Sequence, residues 1–431
     1  MTTAAAPSPH TPLARRLERI FGIEPALIEP VLAGFALFFL VFASYFMLRP
    51  VRETMGVAGG VENLQWLFTA TFVATLAAMP AFGWLASRVA RRSILAWTYV
   101  FFASNLLGFA LAFALVPDDL WFARAFYVWI SMFNLIAISV AWSVMADVCT
   151  REQAKRAFAL VAAGATLGGL AGPILGVVLV GTIGHAGLLV LSAMLLLGSI
   201  AAAGRVRRWR ERTPLATDTV GAMRPLGGNP FAGAIDTLRS PYLAGIGLFV
   251  LLLATANTFL YFEQARVVAA TFTDRIAQTR AFGTLDIIVQ SLTILAQVFV
   301  TGHVARKIGV TALLAAVPLV VAGGFLWLAA SPTFAALAIV IVIRRAGEYA
   351  FVRPGREMLF TIVPVDAKYR AKNFIDAVVY RGGDAVSAWA KATIDLVTQQ
   401  PAVAATIAAV LSLVWAANGV VLGRAHARAP E

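Results

Sequence analysis

Twelve apolar segments, each long enough to cross a lipid bilayer, determine what this chain of 431 residues can fold into. A bilayer core of about 30 Å needs about 17–25 mainly apolar residues per helix. The segments form two groups of six, at 31–51, 64–86, 93–116, 121–146, 157–181 and 185–204, then at 242–263, 281–302, 309–330, 333–352, 374–396 and 403–423. Because a backbone in lipid must satisfy its own hydrogen bonds, they predict an all-α membrane protein with twelve transmembrane helices in two six-helix halves.

Composition agrees with a membrane protein, and the lack of catalytic motifs argues against an enzyme. Apolar residues make up 60% of the chain and charged residues 13%, against about 45–50% and about 25% in soluble domains. Cys149 is the single cysteine and the four histidines are scattered, so we expect no disulfide, no metal site and no cofactor. The sequence has no G-x-x-x-x-G-K-S loop, no H-E-x-x-H and no convincing Ser/His/Asp set.

Basic residues predict the orientation and the domain boundaries. Cytoplasmic loops of membrane proteins collect Lys and Arg. With both termini in the cytoplasm, most of the 35 basic residues lie on the cytoplasmic side, which also accounts for the net charge of +13 without nucleic acid. We expect a bacterial inner-membrane protein with no cleaved signal peptide. The predicted parts are a cytoplasmic segment 1–30, a first half 31–204, a linker 205–240, a second half 241–423 and a tail 424–431.

Charged residues inside the tenth and eleventh segments predict a polar interior. Arg344, Arg345 and Glu348 follow an uninterrupted apolar run. At about 100° per residue, the charges of the eleventh segment fall within about an 80° arc, namely Arg381, Asp384, Lys391 and Asp395. A charged stripe facing lipid is untenable, so these side chains face a central cavity or a partner helix. The alternative to a binding role is that Arg381–Asp384 and Lys391–Asp395 are structural ion pairs.

Three further groups of charges are candidates. Arg49 and Arg52, close to Tyr45, lie at the outer end of the first helix, where they either line an anion path or extend to the headgroups. Asp147 ends the fourth helix, and Arg151 offers it a local ion pair. Glu263 ends the seventh helix, where Arg266 is a local partner.

A short basic turn occurs at equivalent positions of the two halves. The chain reads GWLASRVARR from Gly83 and GHVARKIG from Gly302. Both resemble the loop signature G-x-x-x-D-R-x-G-R-R of the major facilitator superfamily, with Ser87 and Arg306 in place of the usual Asp. In the fifth segment, Gly164, Gly168, Gly172 and Gly176 are four residues apart, which predicts close packing against a neighbouring helix.

Three stretches carry a more specific resemblance. The sequences YFMLRPVRET, MADVCTREQAKRAFALVAAGATLGGLAGP and RPGREMLFTIVPVDAKYRAKNFIDAVVYRGGD are similar to segments of the bacterial and plastid ATP/ADP antiporters. That resemblance implies a facilitator-type bundle with a central nucleotide site. It places the family's functional basic residues on Arg52, Arg356 and Lys372, and its carboxylates on Asp147 and Glu263. Arg in place of Lys at positions 52 and 356 retains anion affinity but changes the donor geometry.

The sequence therefore predicts a secondary active transporter of an organic anion, with a nucleotide or another phosphorylated metabolite in ATP/ADP-type exchange as the best candidate. The residues expected to bind anionic oxygens are Arg49, Arg52, Arg344, Arg345, Arg356, Arg381, Lys372 and Tyr45. The carboxylates expected to hold these cations in the empty carrier are Asp147, Glu263, Glu348, Asp376 and Asp384. The alternative is a proton-coupled exporter of drugs or other small lipophilic compounds, with Glu263 or Asp286 as its titrating group. Expected partners are an anionic small molecule and membrane lipids, with no nucleic acid, and the protein is expected to be a monomer.

Overall fold

The computed structural model describes residues 27–89, 92–148, 151–212, 233–301 and 309–428, without the side chains of 85–87, 146–148, 151–157 and 365–366. In that part of the chain the regular structure is entirely helical. The basic turn that follows Gly302 lies outside the described residues, as do the side chain of Ser87 and most of the predicted linker.

The first half contains six long helices. They are α1 (Ile28–Ala58), α2 (Leu64–Arg88), α3 (Ile94–Leu115), α4 (Leu120–Val148), α5 (151–183) and α6 (185–212). The last two are separate helices that meet at Gly184, a non-helical residue whose φ of 65° lies in the left-handed region that glycine tolerates. A short 3₁₀ turn, Val61–Asn63, joins α1 to α2.

The second half also has six long helices, several of them with irregular turns. They are α7 (Pro241–Thr271), α8 (Arg275–Ala296, extended by a π turn to Thr301), α9 (Val310–Ala330), α10 (334–362), α11 (365–398) and α12 (Pro401–Arg428). The six-residue helix Ala234–Arg239 precedes α7. Helix α10 contains the π turn Glu348–Val352, and α11 contains the π turn Ile375–Val379.

The predicted fold class is confirmed. Within the described ranges, nine helical segments are long and apolar enough to cross a membrane, and one of them, Phe158–Arg212, holds both α5 and α6. The two remaining long helices are α10 and α11, which contain the charged residues and the π turns. Together these make twelve transmembrane helices in two halves of six.

Helices α1 and α5 approach closely because glycines line the contact. A Cβ on Gly172 would lie 2.7 Å from the carbonyl oxygen of Ala43 and 2.8 Å from the amide nitrogen of Met47. Gly164 and Gly168 likewise face the backbone of Phe35 and Phe39. Small residues at four-residue spacing allow this approach in membranes, where van der Waals contact between helices drives their association.

Each half has its own apolar core, and a smaller cluster connects the two. Phe38, Phe126 and Phe133 are fully buried in the first core, whereas Phe249 and Trp415 are fully buried in the second. The connecting cluster includes Leu64 and Tyr127 of the first half and Phe262 and Ala388 of the second. We call this end of the bundle, where α1 passes into α2, the closed end. The opposite end, where α6 ends and α12 ends, is called the linker end.

Candidate functional site

A cavity of about 530 Å³ lies between the two halves. Four helices of each half line it, namely α1, α2, α4 and α5, and α7, α8, α10 and α11. Four guanidinium groups and two carboxylates belong to this lining, so its formal net charge is +2. A space of this size between two halves, with surplus positive charge, suits an anionic organic molecule.

The first half contributes Arg49 and Arg52, on the same side of α1. The Arg52 guanidinium donates a hydrogen bond to the Tyr127 hydroxyl at 3.0 Å and lies 4.4 Å from the centre of that ring. It is also 3.6 Å from the carboxylate of Glu53. Arg49 is 3.9 Å from Asp286 of α8, an ion pair that joins the two halves. Both arginines therefore face the cavity with partners that hold them in place.

The second half contributes Arg353 and Arg381. Arg381 is 3.6 Å from Asp384, which also accepts a hydrogen bond from Thr258 at 3.2 Å. Arg353 lies 4.3 Å from the centre of the Tyr349 ring and 3.4 Å from Glu348. Sequence reasoning did not select Arg353, because Arg353 follows the predicted tenth segment and was assigned to a loop. In the structure the π turn Glu348–Val352 carries the helix onward and brings this guanidinium to the cavity.

Aromatic side chains cover much of the remaining wall. Phe42 and Phe46 of α1 are stacked with centroids 6.0 Å apart, and Tyr45 lies beside them. Further rings come from the other helices, namely Phe68, Phe72, Tyr127, Tyr261, Tyr349 and Tyr380. Aromatic faces bind planar groups by stacking, whereas the arginines provide forked donors for phosphate or carboxylate oxygens.

Two predicted binding residues lie behind the cavity wall. Arg344 is 2.9 Å from Glu348, and Arg345 is 2.6 Å from Asp286. Both arginines are more than nine-tenths buried. They border a smaller void that adjoins the main cavity. Asp286, which sequence reasoning kept only for the exporter alternative, is thus the carboxylate shared by Arg49 and Arg345.

Five other predicted residues with described side chains lie outside the cavity lining, namely Glu263, Glu348, Arg356, Lys372 and Asp376. Arg356 is 3.0 Å from Asp376, and Lys372 is 2.5 Å from Glu357, in the linker-end parts of α10 and α11. Glu263 is 2.5 Å from Arg266 and 3.0 Å from Lys391, towards the closed end. Asp147 ends α4, but its side chain lies outside the described residues. In the part of the chain that is described, no three His, Cys, Asp or Glu side chains are grouped as metal ligands.

Side chains of both halves meet at the closed end. Thr54 of α1 and Thr279 of α8 have hydroxyl oxygens 2.7 Å apart, and Thr279 is also 2.9 Å from His185 of α6. The indole of Trp389 donates a hydrogen bond to Thr69 at 3.0 Å and packs edge-on against Trp66, with ring centroids 4.8 Å apart. Arg275 of α8 reaches Asp118 of the α3–α4 loop at 3.2 Å.

Gln297, at the linker-end limit of the cavity, is exposed. Because side chains of both halves meet at the closed end, we infer that the cavity opens towards the linker end.

Comparison with known proteins gives a family and a fold. The family model described as Major Facilitator Superfamily matches residues 32–354. No curated protein matches the chain.

Three solved structures share the architecture. A bacterial homolog of the human lysosomal transporter Spinster, inward-facing and unoccupied, has a TM-score of 0.64 at 14% identity, over 95% of this chain and 99% of that chain. A bacterial homologue of the iron transporter ferroportin, inward-facing, has a TM-score of 0.63 at 13% identity, over 90% and 98%. A POT family transporter in complex with a thioalcohol-conjugated peptide has a TM-score of 0.62 at 14% identity, over 89% and 94%. At such identities the likeness shows the fold alone.

Proposed function

Because the chain belongs to the major facilitator superfamily, we propose that this membrane transporter carries an organic anion across the bacterial inner membrane by secondary active transport. A nucleotide or another phosphorylated metabolite is the best candidate cargo. The observation that supports the proposal most directly is the placement of Arg49 and Arg52 on one side of the central cavity and Arg353 and Arg381 on the other. An anion bound between them would contact both halves at once.

The lining of the cavity favours a cargo that has a planar ring and an anionic group. Its aromatic wall, which includes Phe46 and Phe72, offers faces for stacking. The guanidinium forks match phosphate and carboxylate oxygens, which favours a cargo of the nucleotide type over a simple inorganic ion. ATP/ADP exchange is one specific form of this proposal, and it derives from the sequence resemblance.

Transport would proceed by alternating access. In this mechanism two halves rock about a site near the membrane midplane, which faces each side in turn. With the linker end in the cytoplasm, the structure corresponds to a state open to the cytoplasm. An anion that neutralises arginines of both halves would lower the cost of bringing them together at the linker end, since unpaired charges are expensive in a closed, low-dielectric site.

The proton-coupled exporter receives less support. Its candidate carboxylates, Glu263 and Asp286, are both within 3.0 Å of a basic side chain. Neither of them lines the main cavity. Each of them is engaged in an ion pair away from the space in which a lipophilic compound would bind.

The proposal can be tested with purified protein. Nucleotides, sugar phosphates and dicarboxylates are screened for those that raise the unfolding temperature, and the hits are then tested for uptake into proteoliposomes. We expect Arg52→Gln and Arg381→Gln each to lower the affinity for the hit by about tenfold or more, since each removes a charged hydrogen-bond donor. Arg207→Gln is the matched control, because Arg207 is exposed at the linker end.

Two outcomes would contradict the proposal. One is normal uptake by both cavity variants, which would remove the arginines from the transport path. The other is stabilisation by lipophilic cations without any effect of anions, which would favour the exporter.

A further inference from the structure

A small void, which we call the alcove, adjoins the main cavity at its closed-end corner. Its volume is about 40 Å³. Arg49 and Glu53 of α1 and Asn257 and Tyr261 of α7 line both spaces, so a group in the main cavity can reach the alcove past them. The far wall is formed by Asp286 of α8 together with Arg344 and Arg345 of α10.

The charged groups of the alcove favour an anionic occupant. Three guanidinium groups, of Arg49, Arg344 and Arg345, line the alcove with two carboxylates, of Glu53 and Asp286. A third carboxylate, of Glu348, is 2.9 Å from Arg344. Because Glu348 is also paired with Arg353 and Glu53 with Arg52, five guanidinium groups share three carboxylates. Arg344, Arg345 and Asp286 are 4%, 7% and 3% exposed. Surplus positive charge at such burial is unfavourable unless a further negative group approaches.

The hydrogen bonding of the alcove is incomplete. Among the described side chains, the Nε atoms of Arg344 and Arg345 and the Oδ2 atom of Asp286 are buried and have no hydrogen-bond partner. Buried polar atoms are nearly always satisfied in native proteins. The two Nε donors would be completed by an acceptor such as an oxyanion, whereas the acceptor Oδ2 of Asp286 would not.

Asp286 occupies the place that an incoming anion would take. Its Oδ1 atom is 2.6 Å from Arg345 in its own half and 3.9 Å from Arg49 in the other half. An oxyanion entering from the main cavity would meet the same two guanidinium groups. Asp286 and such an anion therefore compete for one pair of cations.

We propose that the alcove is a second anion subsite that takes one small oxyanion, and that Asp286 is the resident counter-ion which this oxyanion displaces. A void needs about 10–15 Å³ to hold one water molecule, so about 40 Å³ admits one phosphoryl or carboxylate group but not the body of a metabolite. The oxyanion is the terminal group of the cargo or free inorganic phosphate. The inference rests on the proposed function in so far as the cargo supplies this group.

The test measures binding to the full chain in lipid nanodiscs at fixed ionic strength. The probes are inorganic phosphate, AMP, ADP and ATP. Asp286→Asn removes the competing charge and should tighten the Kd by about tenfold, whereas Arg345→Gln removes a donor and should weaken it by about tenfold. Asp395→Asn is the matched control, because it removes a carboxylate paired with Lys391 away from the alcove and should leave the Kd unchanged.

A stability measurement covers the case in which Asp286→Asn folds poorly. This variant leaves Arg345 buried without its counter-ion, so without ligand its unfolding temperature should be lower than that of the unaltered protein. Phosphate should then raise the unfolding temperature of the variant by more than it raises that of the unaltered protein. The proposal would be overturned if Asp286→Asn binds the probes no more tightly than the unaltered protein and phosphate does not restore its stability. It would also be overturned if Arg345→Gln binds the probes as tightly as the unaltered protein.

The probes separate the two sources of the oxyanion. If the Kd for inorganic phosphate itself shifts in opposite directions in the two variants, the oxyanion is a free anion. If only the Kd values for the nucleotides shift, the oxyanion is the terminal group of the cargo. The result also separates this inference from the proposed function. If nucleotide binding depends on Arg52 and Arg381 but ignores Asp286 and Arg345, the alcove proposal fails alone. If phosphate shows both shifts but no organic anion binds or is transported, the proposed function fails alone.

Discussion

Lys391 is 1% exposed and lies between two carboxylates near the closed end. Its ammonium group is 3.0 Å from Glu263 on α7 and 2.5 Å from Asp395 on α11. A buried ammonium group is tolerated only with such partners, and the loss of one member leaves the other charged and unpaired. All these residues belong to the second half, so the cluster stabilises the packing of α7 against α11 and does not connect the two halves.

We expect Lys391→Met to destabilise the protein by about 3 kcal/mol, because Glu263 then keeps only the partly exposed Arg266 as a partner. The double variant Lys391→Met/Glu263→Gln should regain part of this loss. Unfolding temperatures in detergent provide the measurement. The Kd for the transported anion should stay unchanged in both variants. A large change in Kd without a change in stability would show that Glu263 belongs to the binding site.

The sequence identified part of the charged interior at this scale. Arg49, Arg52 and Arg381 could be selected because each interrupts or ends an apolar segment, and all three line the cavity. Arg353 could not, because sequence does not show that a π turn continues α10 past Val352. The pairing of Arg49 with Asp286 joins residues far apart in the chain and follows only from the packing of α1 against α8.

At the scale of helices, hydropathy located every long helix, but it did not locate their irregular turns. The π turns 297–301, 348–352 and 375–379 lie in α8, α10 and α11, and each contains or directly precedes a cavity-lining residue. A π turn adds a residue to one turn, so it changes which side chains of a helix face inward. Periodicity at about 100° per residue cannot reveal such a shift in advance.

Glycine spacing predicted tight packing of α5, and the structure places these glycines against α1. We expect Gly172→Ala to lower the stability by about 2 kcal/mol, because the added Cβ would force the two helices apart. Gly108→Ala in α3 is the control, since its Cβ would meet nothing within 4 Å and alanine favours a helix by up to about 1 kcal/mol. Unfolding by SDS titration of both variants measures the difference. Equal stability of the two variants would contradict tight α1–α5 packing.

For the whole molecule, the closed end determines which side of the membrane the cavity faces. Thr54 belongs to the first half and Thr279 to the second, and their hydroxyl oxygens are 2.7 Å apart. Two cysteines at these positions are near enough to form a disulfide. If the halves must separate at this end during each cycle, such a bond holds the transporter open to the linker end.

We therefore expect Thr54→Cys/Thr279→Cys, built on Cys149→Ser, to lose uptake after oxidation and to regain it after reduction. Binding of the anion should persist in the oxidised state, because the cavity remains open to the linker end. Ser44→Cys/Ser192→Cys is the matched control, since these hydroxyls are also 2.7 Å apart but both belong to the first half. The measurements are uptake into proteoliposomes and Kd in detergent, before and after reduction. Full uptake by the oxidised Thr54→Cys/Thr279→Cys protein would show that the two halves do not separate at the closed end, because a covalent bond between α1 and α8 is incompatible with that movement.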